Sequence, residues 1–162
     1  MVVSHPSLGL PPPDLVFDPA SPAGRVRDRA ADLAARALTV AIDRDASFAA
    51  LYDDVALRAR LHDATLLADR LATALAAADP SILSDYADQT VPVYRRKKIP
   101  LDHMIDLCEG LKTALPVALS ERELPAANEA LDSAIAVYRN QRRIAGDARK
   151  RNRFIQFIYK GA

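Results

Sequence analysis

The chain has 162 residues, half of them hydrophobic and 27 % charged, with a net charge of +1. That is enough for one domain plus an extension, and its apolar residues are mostly Ala and Leu, which favour helix. A single cysteine, Cys108, excludes an internal disulfide, and no apolar run approaches the roughly 20 residues of a membrane span.

The first residues, Met1 to Pro6, lack the basic start and apolar run of a secretory signal, so the expected location is the cytoplasm. Residues 1–24 hold six of the eleven prolines and no helical period, which predicts a flexible, proline-rich arm. Leu15, Val16 and Phe17 are the residues by which such an arm would be pinned. From Arg25 to Arg44, Val26, Ala30, Leu33, Ala37, Val40 and Ala41 form one amphipathic helical stripe. A second element is expected from Ser47, with Phe48, Leu51, Tyr52 and Val55 on one face. A third runs to Ala78 on Leu57, Leu61, Ala64, Ala68, Leu71 and Leu75. Asp79-Pro80-Ser81 stops it, and Ser81 is expected to cap a short helix through Tyr86.

The junction follows: Val91-Pro92-Val93-Tyr94-Arg95-Arg96-Lys97-Lys98-Ile99-Pro100-Leu101 holds four consecutive cations between two prolines. Pro92 is expected to interrupt the approaching helix, and Pro100 suits the first turn of the next. That next helix turns Leu101, Met104, Ile105, Cys108, Leu111 and Leu115 inward and ends near Pro116. Ser120 to Glu123 has the form of a capping box, opening a last helix that runs to about Lys160. Its first half carries Leu124, Ala127, Leu131, Ala134, Ile135 and Tyr138 on one stripe. Its far end carries Phe154, Ile155, Phe157, Ile158 and Tyr159 among cations. From Arg139 to Lys160 eight Arg or Lys stand against one Asp, a charge of +7, which leaves −6 for the rest of the chain.

The basic run, then Ile99-Pro100-Leu101, then an apolar helix containing Glu109-Gly110-Leu111 resembles the N-terminal domains of RsbR-type bacterial stress-response regulators and related transcription regulators. The resemblance covers about residues 46–138. It implies a globin-like helical fold, usually dimeric, that relays signals through its C-terminal helix. That family is similar to haem-binding globin sensors, in which a proximal histidine lies some six residues before the corresponding proline. Here that position is Tyr94, so the resemblance implies a domain without haem and without another cofactor. The sequence departs from those regulators in showing no phosphorylatable or DNA-binding domain after Ala162, so the expectation is that it signals to another chain or has an architectural role.

No phosphate loop, zinc spacing or nucleophile elbow is present, and Asp53, Asp54, Asp63 and Asp69 follow polar helix faces. Asp102 and His103 adjoin at a helix start and point to different faces, as capping and surface residues rather than a dyad. The expectation is a protein that is not an enzyme. Arg95, Arg96, Lys97 and Lys98 fit either a solvated helix end or an anion site. Phe154, Ile155, Phe157, Ile158 and Tyr159, with Arg149, Lys150, Arg151 and Arg153, fit a helix that docks on a protein partner or a second copy. An anionic membrane surface or nucleic acid is the alternative, as is a docking role within a larger assembly. The expected fold is an all-α, globin-like bundle of about six helices over residues 25–138, followed by a basic extension over 139–162.

Overall fold

A computed structural model describes residues 17–159, with side chains described through Ala145. Seven α-helices and no strand occur among the described residues: α1 (Pro22–Asp28), α2 (Ala30–Arg44), α3 (Ala46–Leu51), α4 (Asp54–Ala77), α5 (Ser81–Arg96), α6 (Leu101–Ala114) and α7 (Leu124–Tyr159). A turn of 3-10 helix, Leu115–Val117, continues α6 where Pro116 removes a backbone donor. The fold is an all-α bundle in which α2 packs on α4 and α6, and α7 packs on α5 and α6.

The helix starts follow local chemistry. The Ser21 hydroxyl accepts the Gly24 N–H at 3.0 Å with Pro22 in the first turn, and Asp53 accepts the Ala56 N–H at 2.8 Å. Helix α1 begins inside the stretch expected as an arm, and residues 1–16 of that arm, with Leu15 and Val16, lie outside the described residues. Phe17 is described: the Arg27 guanidinium stacks 4.2 Å above its ring.

Three helices differ from the sequence expectations. The stretch 25–44 is not one helix, because Arg29 leaves helical geometry at φ −103° and ψ 11° and separates α1 from α2. Its Nη1 donates to the Val117 carbonyl at 2.8 Å, a tie that holds the bend. In α3 only Phe48 is buried, while Leu51 is 55 % exposed and Val55, which belongs to α4, is 74 % exposed, because six residues are too few to present the full stripe. Helix α5 neither stops at Tyr86 nor breaks at Pro92; it runs through Pro92 to Arg96. Pro92 and Asp88, whose carbonyl loses its donor, lie on the exposed face, so that carbonyl is not left orphaned in the core. Leu83, Ala87, Val91 and Tyr94 on the opposite face are all buried, and their burial holds the helix together. Ser81 is not the cap either: the Asp79 carboxylate accepts its N–H at 2.9 Å.

The core joins all the longer helices. Leu33, Leu67, Leu71, Leu107, Leu111 and Leu131 are completely buried, and burial of each such side chain contributes about 1.5–3 kcal/mol. Helices α2 and α6 meet most closely at Gly110, where an added Cβ would lie 2.4 Å from the Ala37 carbonyl oxygen. Helix α6 is buried on most sides, which its sequence stripe alone does not convey. Besides Met104, Cys108 and Leu111, a second row of His103, Leu107, Gly110 and Ala114 at helical spacing is also covered.

Candidate functional site at the root of the C-terminal helix

The junction reverses the chain between α5 and α6 through Lys98, at φ 56°. The Lys98 N–H donates to the Arg95 carbonyl at 3.1 Å and the Ile99 N–H to the Tyr94 carbonyl at 2.9 Å. These two bonds close a Schellman turn, and the left-handed residue is a lysine where glycine is usual. Ile99 and Tyr94, at the two positions that such a turn commonly pairs, are both buried. Pro100 stands just outside α6 as its cap, at φ −61° and ψ 131°, rather than within the first turn.

This turn places cations against α7. One Arg95 guanidinium nitrogen donates to both the backbone carbonyl and the side-chain oxygen of Gln141, each at 3.0 Å. Arg142 pairs with Asp102 in the first turn of α6, and Arg139 reaches Glu109 at 3.8 Å. Lower on α7, Asp132 accepts from Lys112 at 2.7 Å. The start of α7 is fixed by Glu123, which accepts the Ser120 N–H at 2.8 Å and the Arg25 guanidinium at 2.6 Å. Half of the expected capping box is therefore present, and Arg25 holds the Glu123 carboxyl down at about 2 with help from Ser120. Between the junction and α7 lies a cleft of about 650 Å³, lined by Arg95, Lys98, Asp102 and Arg142 above Ile99, Pro100, Leu101 and Ala145.

The sequence-predicted residues divide accordingly. All four of Arg95, Arg96, Lys97 and Lys98 are exposed; Arg95 and Lys98 line the cleft, whereas Arg96 and Lys97 do not. The expected partner-binding set, Phe154, Ile155, Phe157, Ile158, Tyr159, Arg149, Lys150, Arg151 and Arg153, lies outside the described side chains, although the helix that carries it is continuous to Tyr159. Tyr94 is buried, with its ring 6.5 Å from that of Tyr138, and the Tyr138 hydroxyl lies 3.1 Å from that of Thr90. Burial pushes both phenols well above the usual tyrosine range, so both stay neutral. Cys108 is a core residue, its thiol pushed up to about 12 by burial.

His103 is not a surface residue. It is 2 % exposed, in the second buried row of α6, and it closes a polar cluster with α3. Its Nδ1 lies 2.8 Å from the Tyr52 hydroxyl, and its Nε2 lies 3.4 Å from Ser47 Oγ and 3.5 Å from Asp45 Oδ2. The Phe48 ring lies against the imidazole, at 4.5 Å between centroids. Ser, His and Asp are thus together, but hydroxyl and carboxylate share one ring nitrogen. A nucleophile triad needs them on opposite nitrogens, so Ser47 is not placed as its nucleophile; the Tyr52 hydroxyl stands across the ring from Asp45, and the cluster clips α3 to α6. Burial pushes the imidazole below its usual range, against the pull of Asp45, Asp106 and Asp102. Nothing in the sequence pairs His103 with residues some fifty positions earlier; only the cap pattern Asp45-Ala46-Ser47 was visible.

Asp63 departs from the polar face expected for it: Arg60, 5 % exposed on α4 and beneath the Tyr52 ring, lies 2.9 Å from its carboxylate. Burial raises the Asp63 carboxyl, and Arg60 opposes that rise. Asp63 is therefore half of an enclosed ion pair and not a member of a solvated face. Among the described residues no three His, Cys, Asp or Glu gather to hold a metal, and no helix is long and apolar enough to cross a membrane. No family model matches the chain, nor does any curated protein or solved structure.

Proposed function

We propose that the chain is a non-enzymatic sensory or regulatory domain that acts through protein–protein contact of its C-terminal helix. One observation carries the reading. Helix α7 is fixed into the bundle by Tyr138 and by Arg95, Asp102 and Glu109 at its root, yet the same helix continues to Tyr159. A change in packing around the junction therefore reaches the far end as a change in the helix's direction.

The resemblance of the junction to RsbR-type globin-like domains supports the same output and adds an expected homodimer. In this reading Phe154, Ile155, Phe157, Ile158 and Tyr159 enter an apolar groove on the partner, while Arg149, Lys150, Arg151 and Arg153 orient the encounter. The +7 charge of residues 139–160 favours a second reading, in which the helix binds nucleic acid or an anionic membrane. Sedimentation of the full chain and of a variant with the five apolar residues changed to Ser separates them. The proposal expects a complex of fixed stoichiometry that persists at high salt and is absent in the variant. Identical sedimentation of both forms would overturn the homodimer, and association that vanishes with salt alone would overturn the apolar contact in favour of the second reading.

A further inference from the structure

We propose that the cleft at the root of α7 binds a small phosphate monoester with an apolar ring body. Three cations converge there from three parts of the chain: Arg95 from α5, Lys98 from the left-handed turn and Arg142 from α7. Asp102 is the one carboxylate among the described lining residues, which together carry a charge of +2 before a ligand enters. A phosphate monoester has a charge of roughly −1.5 to −2 at neutral pH and balances it, whereas a carboxylate leaves about one cation unmatched. Two guanidinium forks suit phosphate oxygens in a way that a single ammonium does not. The amino end of α6 opens on the same cleft and adds partial positive charge.

The walls set the rest of the ligand. Ile99, Pro100, Leu101 and Ala145 give the lining an apolar side beneath the charged groups. The volume of about 650 Å³ matches sites that enclose a small organic molecule. The contacts now crossing the cleft are exchangeable. Arg142 and Asp102 are both about half exposed, and exposed ion pairs hold weakly. A phosphate would draw Arg142 away from Asp102 and bridge α7 to the turn between α5 and α6. Only the consequence for signalling rests on the function proposed above; the site itself does not.

Phenyl phosphate, followed by amide NMR on the full chain, is the test, with inorganic phosphate as head alone and benzoate as a monoanionic body. The expected result is a saturable shift at the Lys98, Leu101 and Ala145 amides, with a Kd about tenfold or more below that of either control. Lys98→Asn, which tolerates the left-handed turn, and Arg142→Gln should each weaken binding about fivefold or more. Asp102→Asn frees Arg142 and should tighten it about threefold. Absence of a saturable shift, equal affinity for inorganic phosphate, or indifference to all three variants overturns the proposal. Neither result depends on what the far end of α7 docks, so loss of this site and loss of the partner contact are separately visible.

Discussion

Ala78 and Lys98 are the two non-glycine residues with positive φ among the described residues, at 50° and 56°. Both end a helix, and in each the steric cost of the left-handed backbone is offset by the turn it closes. Ala78 is exposed, and the Asp79 N–H behind it donates to the Ala74 carbonyl at 3.0 Å. Ala78→Gly should therefore stabilise the fold by about 1 kcal/mol, a rise of roughly 2–4 °C in Tm by calorimetry. A fall in Tm would mean that the entropy of the added glycine outweighs the relieved strain.

At His103 two effects compete, and burial wins over the three aspartates around it. The folded state then resists a proton that the unfolded chain accepts at about 6.5. Stability should fall as the pH drops through 6.5 toward the lower folded-state value, and recover above it. Glu123 acts in the same direction at lower pH: its folded carboxyl is the stronger acid, so its contribution is present above 4.5 and lost as the pH falls toward about 2. NMR titration of the imidazole checks the first claim directly. An apparent pKa below 6.5 is expected, and one above it would show Asp45, Asp102 and Asp106 outweighing desolvation.

Among the elements, the close crossing of α2 and α6 sets the position of the junction, because α6 starts there. The Gly110 site has no room: a Cβ would fall 2.9 Å from the Ala37 Cα and closer to its carbonyl. Gly110→Ala should cost about 1–3 kcal/mol, read as a lower urea midpoint with an unchanged slope. An unchanged midpoint would mean that the two helices separate at little cost.

The same scale shows what the sequence made legible. Apolar spacing located α2, α4, α6 and the first half of α7 because each hides one continuous stripe. It failed at α5, where Pro92 reads as a break but sits on the wet face of a helix held by Leu83, Ala87, Val91 and Tyr94. It failed at Arg29, whose tie to Val117 is a tertiary contact 88 residues away. His103 and Asp63 read as surface for a related reason: a polar side chain looks solvated in sequence until the fold encloses it with a partner, Tyr52 for His103 and Arg60 for Asp63. The cleft was half visible, since Arg95 and Lys98 lie in a conspicuous basic run. Arg142 and Asp102 joined it only when α7 folded back across α6.

For the molecule as a whole, residues 139–160 hold a charge of +7 against −6 for the rest of the chain. In the proposed reading that division, with α7 fixed at the junction, makes the helix the route from the bundle to another molecule. The most direct measurement is affinity purification from the native cell of the full chain and of the variant with Phe154, Ile155, Phe157, Ile158 and Tyr159 changed to Ser, identifying and quantifying what each retains. The account predicts a protein, either a second copy or a different chain, held in fixed proportion by the full chain and absent from the variant. The same protein held equally by both forms would place the functional surface on the bundle and contradict the account.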